Sequence, residues 1–387
     1  MATEYGSAVL AVAASGSGRV DSVGAMTAPV LHLLGEVLVG LEDVRPEAWV
    51  VGGRLTFERP TGAGNDIETL RGWFVPGMVD AHCHVGLDRH GAVDDETALE
   101  QATTDRDNGT LLIRDAGSPA DTRWIDARDD LPKIIRAGRH IARPKRYIRN
   151  FAHEVEPEQL VERVRIEARA GDGWVKLVGD WIDRDTGDLE PCWPRDVLIE
   201  AIAAAHEEGA RTTAHCFGPD SLRDFAAAGT DCIEHATGLE PDTIDSFAAQ
   251  GIAIVPTLVN IATFPAIAEP AKEKFPDYHR RMLDLHARRY ETFGAAREAG
   301  IPIYLGTDAG GSIAHGLAAQ EAVELSRIGF TNTQVLAAAT WGAREWLGRP
   351  GLEEGADADF LVLDRDPRHD ITALGEPSAI VLRGVTY

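Results

Sequence analysis

Eight short apolar runs, each followed by a helix-patterned stretch, constrain this chain more than any other feature. The runs are "MVDAHC", "GTLLIRDA", a weaker one at "KIIRAG" or "RYIRN", "WVKLVG", "RTTAHC", "TDCIEH", "IAIVPT" and "PIYLGTD". Near-continuous apolar segments of this length read as strands buried on both faces, which is the signature of a parallel sheet. Between them lie "EPEQLVERVRIEARAG", "PRDVLIEAIAAAHEEGA", "PDSLRDFAAAG", "PDTIDSFAAQG" and a long charged stretch from Pro270 to Gly300. Several of these begin at a Pro-Asp pair and stop at a glycine, which is good helix punctuation. Eight such units predict an α/β fold of the (β/α)8 TIM-barrel type over residues 75–348, closed by a last helix in "NTQVLAAATWGAREWLG". The upstream "VLHLLGEVLVG" and "AWVVGGRLTFERP" and the downstream "ADADFLVLD" and "SAIVLRGV" have β texture instead. They predict a small β-sandwich domain built by both chain ends, 29–74 and 349–387. Residues 1–28, rich in Gly, Ser and Ala, read as a poorly ordered leader.

In a barrel of this kind, functional groups sit where the strands end. The first strand runs into "GMVDAHCHVGLD", with two histidines one residue apart. Strand side chains alternate, so Asp80, His82 and His84 share one face and Val79, Ala81 and Cys83 the other. The fourth strand offers Lys176, the fifth His215, the sixth His235 and the eighth Asp308. Any one of these could be a satisfied structural group, but six at strand ends point to one mouth. Neutral imidazole is the usual ligand of zinc and similar ions, and a carboxylate can bind the metal and take a proton from water. Two metals roughly 3.5–4 Å apart can share a hydroxide nucleophile. Lys176 is the odd member, because an ammonium would repel two dications. Buried there it is expected to be a neutral amine, which can capture carbon dioxide as a bridging carbamate.

These segments resemble the amidohydrolase superfamily, over nearly the whole chain. "VPGMVDAHCHVGL" is similar to its first-strand signature, and "GTLLIRDAG" to the second strand of its imidazolonepropionase-like and prolidase-like branch. The stretch from "AHCFGPDSLRDF" to "GIAIVPTLV" resembles that branch from strand 5 to strand 7, and "GTDAGGSIAHG" and "EGADADFLVLDRDP" complete the pattern. The resemblance implies a metal-dependent hydrolase that cleaves a C–N bond in an amide, dipeptide, lactam or carbamate. Carried over by position, His82, His84 and Asp308 would hold one divalent ion, and His215 and His235 a second. Carbamylated Lys176 would bridge them, with zinc as the expected ion and Asp308 as general base and then acid. His153, in "RNFAHEVEP", would take the place of a histidine that meets the substrate carbonyl, although the Gly-Gly usual before it is missing. Arg114 and Tyr147 are further candidates for substrate contact, and Trp181 and Asn260 for the pocket wall. Asp80 and Thr213 are expected to orient ligands, and His315 to pack the loop after strand 8.

Other readings weigh less. A mononuclear aromatic deaminase of the same superfamily generally keeps a glutamate three residues after the strand-5 histidine, where this chain has Gly218. A scaffold that lost its chemistry would lack ligands, and none of the six is missing. A lactone or phosphotriester hydrolase with the same site is the alternative on substrate. The charge of −24 argues against nucleic acid or an anionic membrane as partner, leaving a small-molecule substrate and a possible homo-oligomer. Four scattered cysteines and no apolar run of about 20 residues fit a cytoplasmic protein.

Overall fold

The computed structural model describes residues 30–61 and 67–387, so the expectation for 1–28 lies outside the described residues. It is an α/β fold with parallel strands. Seven strands follow the expected runs closely: β1 (Met78–Cys83), β2 (Thr110–Asp115), β3 (Lys133–Arg136), β4 (Trp174–Val178), β5 (Arg211–Cys216), β6 (Cys232–His235) and β7 (Ala253–Val255). β1, β2 and β3 pair in parallel as one sheet. β4 to β7 pair in parallel as another, which the two-residue strand Ile141–Ala142, just beyond β3 in the chain, joins at the β4 edge. "RYIRN" is a turn rather than a strand.

The eighth run forms no ladder. It makes isolated parallel bridges, Ile303 to Ile254 of β7 and Ala309 to Cys83 of β1, and its Leu305 carbonyl accepts from Ala81 N–H at 2.8 Å. Two local features limit regular pairing. Pro302 has no N–H to donate, and Gly306 is pressed so close that a Cβ there would lie 2.4 Å from Val255 Cγ1 and 2.7 Å from the His82 nitrogen. Only glycine fits between the two neighbouring strands.

The helices form where the punctuation places them, at Leu160–Ala170, Arg195–Glu207, Pro219–Ala228, Pro241–Gln250 and Pro276–Glu298. Gly229 and Gly251 stop two of them in the left-handed conformation, φ +74° and +69°, that spares glycine a Cβ clash. The last expected helix breaks at Thr340 into Asn332–Ala339 and Trp341–Trp346.

Both chain ends contribute to one further sheet of seven strands. Val30–Leu38 and Ile67–Pro76 pair in parallel at its centre, and Phe360–Leu363 adds antiparallel to Ile67–Pro76. All seven are hydrogen-bonded neighbours in one sheet. It encloses its own apolar cluster, with Leu33, Phe74, Leu352, Phe360 and Val381 fully buried.

Glu321 ties the segment after β7 to the helix Ala318–Ser326. Its two carboxylate oxygens accept the Leu258 and Val259 N–H groups, both at 2.8 Å. Burial pushes its pKa up from 4.5 to about 8. A folded-state value above the unfolded one means that its contribution to stability is complete below about pH 4.5 and is lost as pH rises toward 8. The free energy of unfolding in urea is therefore expected to fall between about pH 5 and about pH 8. Glu321→Gln should flatten that slope even if it lowers the whole curve, and equal slopes in the two proteins would contradict the assignment.

Candidate metal centre

The ends of β1, β5, β6 and the eighth run bring the expected histidines and Asp308 together, with Lys176 of β4 buried beside them. His82, His84, Lys176, His215 and His235 are each at most 4% exposed, and the Asp308 side chain is 20% exposed. His82 Nε2 lies 3.1 Å from His84 Nε2, and the two lie 2.9 and 3.0 Å from Asp308 Oδ1. The His235 ring stands 4.7 Å from His215 and 5.0 Å from His82. Donor atoms of His82, His235 and Asp308 all fall within 4.8 Å of one another.

The outer nitrogens of the first pair are already committed. His84 Nδ1 lies 2.6 Å from the Gly117 carbonyl, which can only accept, so the proton is on Nδ1 and the Nε2 lone pair faces inward. His82 Nδ1 lies 2.8 Å from the Glu234 carboxylate, an ion-pair contact without hydrogen-bond geometry. His235 Nδ1 meets Thr257 Oγ1 at 2.8 Å. The inner nitrogens of His82 and His84 and the Asp308 carboxylate thus converge in a buried space, a donor set that a cation would fit. The donor set of imidazoles and a carboxylate suits zinc or a similar ion.

Lys176 and His215 complete the pattern. Lys176 Nζ is buried and has no hydrogen-bond partner, and His215 Nε2 is likewise unpartnered. Burial lowers the Lys176 pKa from its usual range. It also depresses His215 well below normal and brings His235 to about 3. These imidazoles are neutral and able to bind a metal. The backbone is strained at the same strand ends: His235, Thr257 and Asp308 have φ of +66°, +53° and +63°. Non-glycine residues in that region cost about 1–3 kcal/mol each and gather at functional sites.

Three expectations on substrate contact meet different outcomes. Tyr147 is at the mouth, half-buried, its ring 5.0 Å from Trp181 and 5.5 Å from His215. Arg114 is not. Strand alternation carries it inward to a deeper layer, where it is fully buried, bonds Glu234 Oε1 at 2.6 Å and stacks 4.7 Å from Trp174. His153 also lies apart: its ring points at Glu167, 3.3 Å away, and is one-third exposed.

The histidine that the third strand does bring in is His140. It is fully buried 5.1 Å from His84 and 5.3 Å from Tyr147, with both ring nitrogens unpartnered. Its position just past "KIIRAG" was the available signal. Glu234 was also missed. Adjacent to His235 in "CIEH", it faces inward by alternation with Cys232, and the left-handed turn at His235 brings the next side chain to the same side. It touches His82, Arg114 and Thr213. Asp80 accepts from the Thr307 hydroxyl at 2.5 Å and from His82 N–H at 3.1 Å, pinning the eighth run to β1. Asn260 donates to Asp308 Oδ2 at 2.6 Å.

Comparison with known proteins defines the class. The model of the amidohydrolase family matches residues 73–385, and the chain belongs to that family of metal-dependent hydrolases acting on carbon–nitrogen bonds. An uncharacterized protein of Mycobacterium tuberculosis is 52% identical over 372 residues, 95% of this chain and 99% of that one. Ochratoxinase of Aspergillus niger is 27% identical over 232 residues, 58% of this chain and 47% of its own. Among solved structures, a Xaa-Pro dipeptidase with bound methionine superposes with a TM-score of 0.77 at 20% identity, over 92% of this chain and 99% of that one. The ochratoxinase structure gives 0.76 at 19%, over 93% and 96%. At these identities the structural likeness is one of fold. No helix among the described residues is long and apolar enough to cross a membrane.

Arg114→Met leaves Glu234 buried without its counter-charge, which typically costs about 3–5 kcal/mol. Urea unfolding should show a loss of that order. Unchanged stability with a raised KM would instead return Arg114 to the substrate.

Proposed function

We propose that the chain is a binuclear metal-dependent amidohydrolase, built as a (β/α)8 barrel with a small composite β-domain from both chain ends. His82, His84 and Asp308 would hold one divalent ion, His215 and His235 a second, and Lys176, carbamylated, would join them. The observation that carries this reading is the convergence of donor atoms from His82, His84 and Asp308 beside an unpartnered, fully buried lysine amine. When bound, such ions, zinc being the expected one, would polarise the scissile carbonyl and acidify a water molecule.

The chain's own residues supply the rest. Asp308 Oδ2 is held by Asn260, which fixes the carboxylate plane and leaves Oδ1 directed at the centre. Asp308 takes the proton from the attacking water as the new C–O bond forms, and returns it to the leaving nitrogen as the C–N bond breaks. Tyr147 stands where its phenol can donate to the substrate, with Trp181 beside it and Phe217 packed 4.3 Å from His215. This wall suits a small molecule with an apolar group next to the amide. Membership of the amidohydrolase family supports that bond type, and the similar fold of a Xaa-Pro dipeptidase, an enzyme of dipeptides by its name, agrees with it. All four cysteines are buried and free, which supports a cytoplasmic setting.

A panel of N-acyl amino acids and dipeptides tests the reading. Turnover of at least one member is expected, with Asp308→Asn lowering kcat/KM by about 10²- to 10⁴-fold, the usual contribution of a general acid–base. Full turnover in a folded Asp308→Asn variant would overturn the role of Asp308.

A further inference from the structure

On the other face of β1, away from the convergent histidines, a second donor cluster is built. Cys83 is fully buried in a small apolar core with Ala98 and Ala102 of the helix Asp95–Asp107. Asp105, from the same helix, is 1% exposed, and the His315 side chain 7%. Cys83 Sγ lies 3.7 Å from Asp105 Oδ2 and 3.8 Å from His315 Nδ1, and those two atoms lie 2.8 Å apart. The other Asp105 oxygen accepts Gly316 N–H at 2.9 Å, which fixes the carboxylate with Oδ2 toward the cysteine.

We propose that Cys83, Asp105 and His315 form a separate site for one thiophilic divalent cation of the zinc class, behind the strand that carries His82 and His84. Thiolate, imidazole and carboxylate are all donor types that zinc takes. Tetrahedral bonds of about 2.3 Å to sulfur and about 2.0–2.1 Å to nitrogen and oxygen require S···N and S···O separations of about 3.6 Å and N···O of about 3.3 Å. The two sulfur distances are close to this, and Asp105 and His315 need separate by only about half an ångström. On binding, the Cys83 thiol releases its proton to solvent, and the ion with one thiolate and one carboxylate is neutral overall.

Charge balance points the same way. Asp80, Asp105 and Asp115 are all buried around Cys83, and among the described residues no lysine or arginine forms an ion pair with any of them. Arg136, the nearest arginine in register, is bonded to Asp126 and Asp172. Asp115, the register partner of Cys83, has a buried Oδ2 without a hydrogen-bond partner, so a further carboxylate stands next to the trio. Asp105 has His315 as its counter-charge at 2.8 Å, and a dication bound here would take over that role and offset the Asp80 and Asp115 carboxylates as well.

Cobalt loading of the full chain separates this site from the centre at the mouth, which offers only nitrogen and oxygen donors. The wild type should show a near-ultraviolet thiolate-to-cobalt charge-transfer band. His315→Ala and Asp105→Asn should each abolish that band and remove one cobalt equivalent, while the visible d–d bands of the mouth site persist. Cys83→Ser should do the same, and if it fails to fold the other two variants carry the test. Absence of the band at saturating cobalt, or its survival in His315→Ala and Asp105→Asn, would overturn the proposal. Loss of the d–d bands alone would count against the mouth site and not this one.

Discussion

Two imidazole nitrogens and a carboxylate oxygen crowded together inside a protein need a positive charge among them, whether a proton or a metal ion. His82 Nε2, His84 Nε2 and Asp308 Oδ1 are held in that arrangement at 2.9–3.1 Å. Much of the surrounding structure serves to keep them there. The Gly117 carbonyl and Glu234 fix the two ring orientations from outside. Asn260 holds the far oxygen of Asp308, and Asp80 locks the eighth run against β1 through Thr307. Outer groups of this kind set the tautomer and the aim of metal-binding histidines.

A buried ionic layer lies under the mouth. Arg114 and Glu234 neutralise each other there, between Trp174 and the strand ends, and Glu234 in turn reaches His82. The pair links strands β2 and β6 to the first ligand on β1. Glu234 therefore stays charged despite its burial; Arg114 and His82 hold its carboxyl well below the usual range. The same low-polarity setting that would punish an isolated charge keeps His215 and His235 neutral and lowers the Lys176 pKa.

Part of this was legible in the sequence through strand alternation, which put His82 and His84 opposite Cys83, and the apolar runs located seven strands to within a residue or two. The expected face was wrong for the rest of β1: its register against β2 shifts between Asp80 and Cys83, so Val79 and Ala81 pack inward with Leu112 and Cys232, and Asp80 lies on the Cys83 side. Glycine punctuation found helix ends at Gly229 and Gly251, since a left-handed stop requires it. Depth was not legible. Alternation says that Arg114 faces inward but not how far below the mouth it lies, so it reads equally as a rim group or a buried ion-pair partner. Irregular backbone was also hidden. The third strand continues past Arg136 into a loop whose course decides that His140, rather than His153, comes beside His84. The eighth run looks like a strand yet makes only bridges, because Pro302 and Gly306 set local limits that apolar content does not reveal.

The central claim is that Lys176, whose pKa burial lowers, joins the histidines as a metal ligand. Metal content per chain, measured in bicarbonate buffer for the wild type and for Lys176→Ala, tests it most directly. The account requires at least two equivalents in the wild type and at least one fewer in the variant. Equal metal content in two folded proteins would make Lys176 a bystander and contradict it.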